Sequence, residues 1–255
     1  MAPENKKVFI VLPAYNAEKT LAWTIREIPA EYADNIILVD DCSCDQTVKV
    51  AKELGLEHFV HKKNLGYGGN QKTCYCLALE RGADIIVMLH PDYQYDPRFI
   101  PYLVEPIRNG HFDIMLGSRI TSRKKVLAGG MPVYKYLANR FLTLCENIIL
   151  GLSLSEYHTG YRAYSKHALE TIHFAKNSND FVFDAEVLIQ AAFHNLTIGE
   201  IFVPTKYFPE ASIINFRRSA QYGLQTLGTL LKYLLAKNGL GNFKLFSVPK
   251  KNINL

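Results

Sequence analysis

The run His90-Pro91-Asp92-Tyr93-Gln94 sets an imidazole, a carboxylate and an amide oxygen at alternate positions. Alternate side chains of an extended segment project to one side, so His90, Asp92 and Gln94 could meet one ion. Mixed nitrogen and oxygen ligands with open positions suit Mg²⁺ or Mn²⁺ completed by water and phosphate oxygens. The same residues also read as turns around Pro91 and Pro97, with Asp92 and Asp96 capping them. Asp40-Asp41 ends an apolar run, where carboxylates bind ribose hydroxyls or a base edge in dinucleotide folds but also cap helices. Gly66-Tyr67-Gly68-Gly69 could bring backbone N–H groups to a phosphate or simply turn the chain. It fits neither the dinucleotide fingerprint nor a P-loop.

Cations are grouped as well. Arg119, Arg123, Lys124 and Lys125 precede Gly129-Gly130 in a stretch with few apolar residues. That reads either as a solvated loop or as a lid whose charges engage phosphate groups. Arg162, in Thr159-Gly160-Tyr161-Arg162, poses the same choice between a surface pair and a phosphate clamp. Cys42 with Cys44 and Cys74 with Cys76 are spaced more tightly than structural zinc ligands, and positions i and i+2 of a helix diverge. They read as incidental thiols.

These groups must be positioned by the elements around them. Apolar runs at 8–12, 36–39, 85–89 and 114–116 predict strands, with a weak one at 59–60. Helical spacing follows Asn16 through Leu21, Ile25 and Ile28, and Asp45 caps a helix through Leu54. Further helices end near Arg81-Gly82 and begin at Asp96-Pro97. Solid apolar strands alternating with helices predict a parallel sheet covered on both faces. Ligands of such sheets sit at the carboxyl ends of the strands. Residues 13–18, 40–45, 64–70, 90–94 and 117–119 each follow a strand, so one edge should gather them. Beyond that, 132–150 is helical, 159–164 a strand, 183–194 a helix, 198–203 a strand and 221–237 a leucine-rich helix.

The chain has 255 residues, 48% hydrophobic and 21% charged, enough for one large α/β domain. Its net charge of +5 suits anionic small molecules or an acidic membrane surface rather than nucleic acid. The apolar run after Lys6-Lys7 is too short for a signal-peptide core, and none reaches the roughly 18 residues of a membrane span. Five cysteines, an odd count, suit a reducing compartment. The expected location is cytoplasmic, with peripheral contact on the cytoplasmic membrane face if the acceptor is a lipid.

Taken in order, the motifs resemble family 2 glycosyltransferases of the GT-A fold, the group that includes the dolichyl- and polyprenyl-phosphate sugar synthases. The resemblance rests on Leu12-Pro13-Ala14-Tyr15-Asn16-Ala17-Glu18, Val39-Asp40-Asp41-Cys42-Ser43-Cys44-Asp45-Gln46-Thr47, Asn64-Leu65-Gly66-Tyr67-Gly68, the Asp92 cluster and Gly117-Ser118-Arg119. It continues through Thr159-Gly160-Tyr161-Arg162 and Phe183-Asp184-Ala185-Glu186, covering about residues 7 to 215. It implies a Rossmann-like, mostly parallel sheet over residues 1–215 and an amphipathic helical extension over 216–255. It assigns Pro13, Ala14, Tyr15, Glu18, Asp40 and Asp41 to the nucleotide, and His90, Asp92 and Gln94 to Mg²⁺ or Mn²⁺. Asp92, Glu156, Arg119 and Arg162 are its expected catalytic residues. His90 stands where the family has the first Asp of Asp-x-Asp, and Cys42 where it usually has Gly. Tyr207 and Ile213 stand where polyprenyl-phosphate mannose synthases carry an Arg and a Lys around the position of Ser212.

The resemblance thus implies an inverting transfer of sugar from a GDP- or UDP-sugar to an acceptor. A lipid phosphate is already anionic and needs positioning by Arg119, Arg162 and the cations Arg123, Lys124 and Lys125. A glycan hydroxyl would instead need a general base, for which Glu156 and Asp184 are the candidates. Two alternatives stand beside the lipid-phosphate expectation: transfer to a sugar hydroxyl in glycan or polysaccharide synthesis, and a nucleotide-sugar-binding protein without catalysis. Sugar-1-phosphate nucleotidyl transfer is a further rival, but it places a Gly-rich, Arg-bearing loop where this chain has Pro13-Ala14-Tyr15.

Overall fold

The protein is described here by a computed structural model covering residues 6–120, 126, 131–206 and 216–247. The apolar runs become strands β1 (Val8–Ala14), β2 (Ile36–Asp40), β3 (Glu57–Val60), β4 (Ile85–Met88), β5 (Ile114–Ser118), β6 (Arg162–Ser165) and β7 (Ile198–Phe202). Among the described residues they form one sheet in the order β3-β2-β1-β4-β6-β5-β7. Each residue of β1 is buried, and its alternation splits the core in two. Phe9 and Val11 face one apolar cluster, Ile10 and Leu12 the other. A strand covered on both faces has no polar side, which is why these runs read as unbroken apolar blocks.

The helices are α1 (Leu21–Arg26), α2 (Thr47–Glu53), α3 (Tyr67–Glu80), α4 (Ile100–Arg108), α5 (Val133–Leu150), α6 (Lys166–Thr171), α7 (Phe183–Phe193) and α8 (Phe216–Lys237). Side chains of α3, α7 and α8, such as Tyr75, Leu188 and Leu230, fill the cluster shared with Phe9. Those of α1 and α4, such as Leu21 and Leu103, fill the other. Helix α8 therefore closes the core with Leu230 and Tyr233, while also packing on α5.

Strand direction decides which loops meet. β1 pairs parallel with β2 and β4, whereas β6 runs antiparallel between β4 and β5. Reversing that one strand puts its first residue, Arg162, opposite Met88 and Leu116 near the ends of β4 and β5. The residues before Arg162 thus join the loops after β1, β2, β4 and β5 at one edge. The sequence pattern identifies the strand but carries no signal of its reversed direction.

Two helix starts differ from the expected ones. Asn16 caps nothing: it sits at φ +53°, and its side-chain oxygen accepts from Cys44 N at 2.9 Å. Helix α3 begins inside the glycine cluster, at Tyr67. A Cβ on Gly68 would lie 2.5 Å from the carbonyl oxygen of Ser178, so close packing on the 178–183 segment demands glycine there.

A candidate active site at the strand ends

The edge carries a cavity of about 1080 Å³. Its polar walls include Tyr15, Asp41, Asn64, Asp92, Gln94 and Arg119. Its apolar wall comes from α5 and α8 and includes Phe141, Leu142, Leu224 and Leu227. Pro13 and His90 also line it, so each strand-end cluster of the sequence contributes at least one residue.

The first two loops are laced together. Asn16 N donates to Ser43 Oγ at 2.8 Å, Ala17 N to Thr47 Oγ1 at 2.7 Å and Glu18 N to Asp45 Oδ2 at 3.1 Å. Glu18 returns the contact by accepting from Gln46 N at 2.8 Å. Of the residues expected at the nucleotide, Pro13, Tyr15 and Asp41 reach the cavity. Ala14 is buried, and its carbonyl accepts from Asp41 N at 2.8 Å. Asp40 is also buried and shapes the following turn by accepting from Ser43 N at 2.9 Å. In that turn Cys42 has φ +62°, a region in which a side chain costs free energy and glycine does not. This accounts for the family's usual glycine at that position.

Asp41 fastens β2 to the 64–66 loop: its carboxylate accepts from Leu65 N at 2.7 Å and Gly66 N at 2.9 Å. The third contact is to His61 Nδ1, at 2.8 Å. Gly68 N in turn donates to Asn179 O at 2.8 Å. These three N–H groups are spent inside the protein and are not offered to a phosphate.

The His90–Gln94 segment is held from both sides. Thr20 Oγ1 donates to Pro91 O at 2.6 Å, and Asp92 Oδ1 accepts from Gln94 N at 3.0 Å. Tyr93 between them has φ +56°, a conformation that stores strain at a functional loop. Tyr67 hydroxyl donates to Asp184 Oδ2 at 2.6 Å, and its oxygen lies 3.2 Å from His90 Nε2. Since that hydroxyl proton goes to the carboxylate, the oxygen receives the His90 Nε2 proton, leaving Nδ1 with the lone pair. Burial pushes the His90 imidazole below its ordinary pKa, against the pull of Asp92 and Asp184.

Among the described residues no three His, Cys, Asp or Glu side chains gather as a ready-made metal cage. Of the cysteines, Cys74 and Cys76 are buried in the core. What faces the cavity is Asp92, His90 and Gln94, a set that fits a hard divalent cation taking its remaining ligands from phosphate and water.

Arg119 extends from the end of β5, and its backbone N donates to Glu156 Oε2 at 2.8 Å. Its Nε donates to Glu156 Oε1 at 2.9 Å, and its Nη2 reaches the same carboxylate and the His158 carbonyl. Asn139 of α5 also donates to Glu156, at 2.9 Å. Burial works against the Glu156 charge, but Arg119 outweighs it and holds the carboxyl below its usual range. Glu156 thus does not face the cavity as its motif position suggested. It is fully buried and aims Arg119, which does line the cavity.

Arg162 is also placed differently. It is fully buried and donates to the carbonyls of Thr159 at 2.7 Å, Asp184 at 2.9 Å and Tyr157 at 2.9 Å. Its three branches stitch the floor beneath the site, and its charge has Asp184 Oδ1 at 3.8 Å. The reason is geometric: antiparallel β6 points it into the sheet's covered face. Arg123, Lys124, Lys125, Tyr207, Ser212 and Ile213 lie outside the described residues.

Several cavity residues carry no motif. Lys135 lies on α5, and neighbouring Arg119 adds to burial in lowering its pKa. His158 and Tyr222 face each other, with the Tyr222 hydroxyl 2.7 Å from His158 Nδ1. The hint in the sequence is that α5 gathers polar Asn139, Thr143 and Glu146 on one face.

Glu146 is fully buried with its Oε2 3.4 Å from His158 Nε2, and neither oxygen has a hydrogen-bond partner among the described residues. Burial pushes its carboxyl well above the usual range, with Arg162 pulling the other way, and lowers His158 to about 4. Each shift favours the uncharged form of its group. An acid with a raised folded pKa stabilises fully below the unfolded value of about 4.3 and loses that contribution as pH rises. His158 has the opposite slope, losing stability below about 6.5, but it does so with or without Glu146. Glu146→Gln should therefore match wild type at pH 4 and be the more stable of the two at pH 8 in urea unfolding. A variant less stable than wild type at pH 8 would show that Glu146 is ionised and paired.

A mostly parallel sheet with an acid-and-cation cluster at its strand ends, beside a cavity of this size, fits the GT-A fold of the glycosyltransferases that the motifs resemble. The family profile described as Glycosyl transferase family 2 matches residues 9–172. The chain belongs to that family. It is 32% identical over 220 residues to the UDP-N-acetylglucosamine–dolichyl-phosphate N-acetylglucosaminyltransferase of Methanococcus voltae, covering 80% of this chain and 87% of that one. It is 28% identical over 193 residues to the undecaprenyl-phosphate mannosyltransferase of Micrococcus luteus, covering 73% and 78%. Glucosyl-3-phosphoglycerate synthase from Mycobacterium tuberculosis has the same fold, with a TM-score of 0.70, 21% identity, and coverage of 93% of this chain and 82% of that one. That enzyme has been crystallised with Mn²⁺, uridine diphosphate and glucosyl-3-phosphoglycerate.

Proposed function

We propose that this glycosyltransferase moves a sugar from a UDP- or GDP-sugar to a polyprenyl phosphate, with inversion and with a divalent cation. One observation carries the reading: a single cavity joins Asp92 and Arg119 to the apolar wall of Phe141, Leu142, Leu224 and Leu227. A sugar nucleotide needs the first end, and a phosphate on an isoprenoid chain needs both. The names of the Methanococcus and Micrococcus relatives agree with this acceptor class.

Pro13 and Tyr15 would bound the nucleoside, with Asp41 behind the loop that holds it. Asp92, with His90 Nδ1 and Gln94 beside it, would hold Mg²⁺ or Mn²⁺, whose charge offsets that developing on the departing diphosphate. Arg119, aimed by Glu156, and Lys135 would attract the acceptor phosphate and orient it for attack on the anomeric carbon. A phosphate oxygen is anionic at neutral pH, so it supplies its own nucleophile. Both candidate bases for a hydroxyl acceptor are engaged: Glu156 by Arg119 and Asn139, and Asp184 by Tyr67 and Gln71.

The test is nucleotide release from UDP- and GDP-sugars with Mn²⁺ or Mg²⁺, with and without a polyprenyl phosphate. Release that needs both metal and lipid is expected. Release stimulated by an oligosaccharide and indifferent to lipid would overturn the acceptor, and donor binding with no release to any acceptor would overturn catalysis.

A further inference from the structure

Helix α5 is amphipathic in the wrong sense for a helix facing water. Val133, Leu137, Phe141, Leu144 and Ile148 are between 56% and 73% exposed. Asn139, Thr143 and Glu146 are at most 8% exposed. At 3.6 residues per turn the apolar five share about one quarter of the helix circumference, and the polar three lie opposite. Next to it, α8 exposes Leu224 at 72% and Leu231 at 58%. An apolar face of this extent marks a surface built to meet something apolar.

The charge around that face selects the partner. Besides Lys135 and Arg218, which line the cavity, the two helices carry the exposed cations Arg140, Arg217, Lys232 and Lys237, and their only carboxylate, Glu146, is buried. A second copy of this chain would set these cations against their equivalents. Lipid headgroups of opposite sign would meet them favourably. Phe141 and Leu224 belong both to this face and to the cavity wall, so the cavity opens towards it. No helix of the described residues is long and apolar enough to cross a membrane, so contact by lying on one is what α5 and α8 can make.

We infer that the outward face of α5 and α8 docks on an anionic lipid bilayer, presenting the cavity mouth to lipid-borne phosphate. The inverted face stands by itself, while the choice of a bilayer as its occupant rests on the lipid-phosphate reading above. Leu137, Leu144 and Ile148 hold the docking surface without lining the cavity.

The experiment is co-flotation of the full chain with vesicles of phosphatidylcholine alone or with about one-third phosphatidylglycerol. It compares wild type with a variant carrying Leu137→Gln, Leu144→Gln and Ile148→Gln. Wild type should bind the anionic vesicles at least ten-fold better than the neutral ones, and the variant should lose at least ten-fold of that binding. Its melting temperature should not fall, since all three side chains are exposed. Release of nucleotide with a short, water-soluble prenyl phosphate should stay within about two-fold of wild type. Equal vesicle binding by variant and wild type overturns the inference. So does a wild-type dimer that ignores vesicles and becomes monomeric in the variant. Vesicle binding without transfer to any prenyl phosphate would sink the proposed acceptor and leave the docking surface standing. Transfer to the soluble acceptor without vesicle binding would do the reverse.

Discussion

Asp92→Asn is expected to lower kcat/KM for sugar transfer by at least about 10³-fold, equivalent to roughly 4 kcal/mol of transition-state stabilisation. The amide is isosteric and keeps an oxygen for the Gln94 N–H that Asp92 Oδ1 now accepts, so the loop and the melting temperature should be preserved. What disappears is the carboxylate charge that is proposed to hold the cation, beside His90 and Gln94 at the cavity. Calorimetry separates this from a loss of binding. Mn²⁺ should tighten nucleoside diphosphate binding to wild type and have little effect on the variant, while metal-free binding stays similar. Activity within ten-fold of wild type would mean that the carboxylate charge has no part in the reaction.

Arg162→Lys is the second large effect, and it falls on stability. The guanidinium serves the carbonyls of Thr159, Tyr157 and Asp184 from three directions, and an ammonium on a flexible stem cannot reproduce that fork. At a fully buried site the unserved carbonyls and the misplaced charge should destabilise the fold by about 3–5 kcal/mol in urea unfolding. The same variant distinguishes two roles for the residue. A phosphate clamp would leave stability intact and raise the acceptor KM, and that outcome would overturn the structural role.

Much of the architecture was legible because apolar patterning and burial are the same physical fact. Strands covered on both faces have no polar side, so β1, β2, β4 and β5 appear as unbroken apolar runs. Their ends, where burial stops, are where Asp41, Asp92 and Arg119 were expected to meet, and each lines the cavity. The start of α3 is not legible in the sequence because Gly66, Gly68 and Gly69 are poor helix formers, and only their close tertiary neighbours, Asn179, Ser178 and Leu65, explain them. The spacing of Leu137, Phe141, Leu144 and Ile148 announces a helix, but spacing alone does not say which face turns inward.

By itself the sequence determined the element types, the fold class, the family and the strand-end cluster around Asp92. Tertiary structure alone decided which charged groups face the cavity and which lie beneath it. Glu156 reaches Arg119 across 37 positions, and Asp184 reaches Tyr67 across 117. A charged side chain is exposed by default, and it becomes buried only when a partner distant in sequence satisfies it. Such partners are brought together by strand order and by the reversal of β6, and local sequence encodes neither.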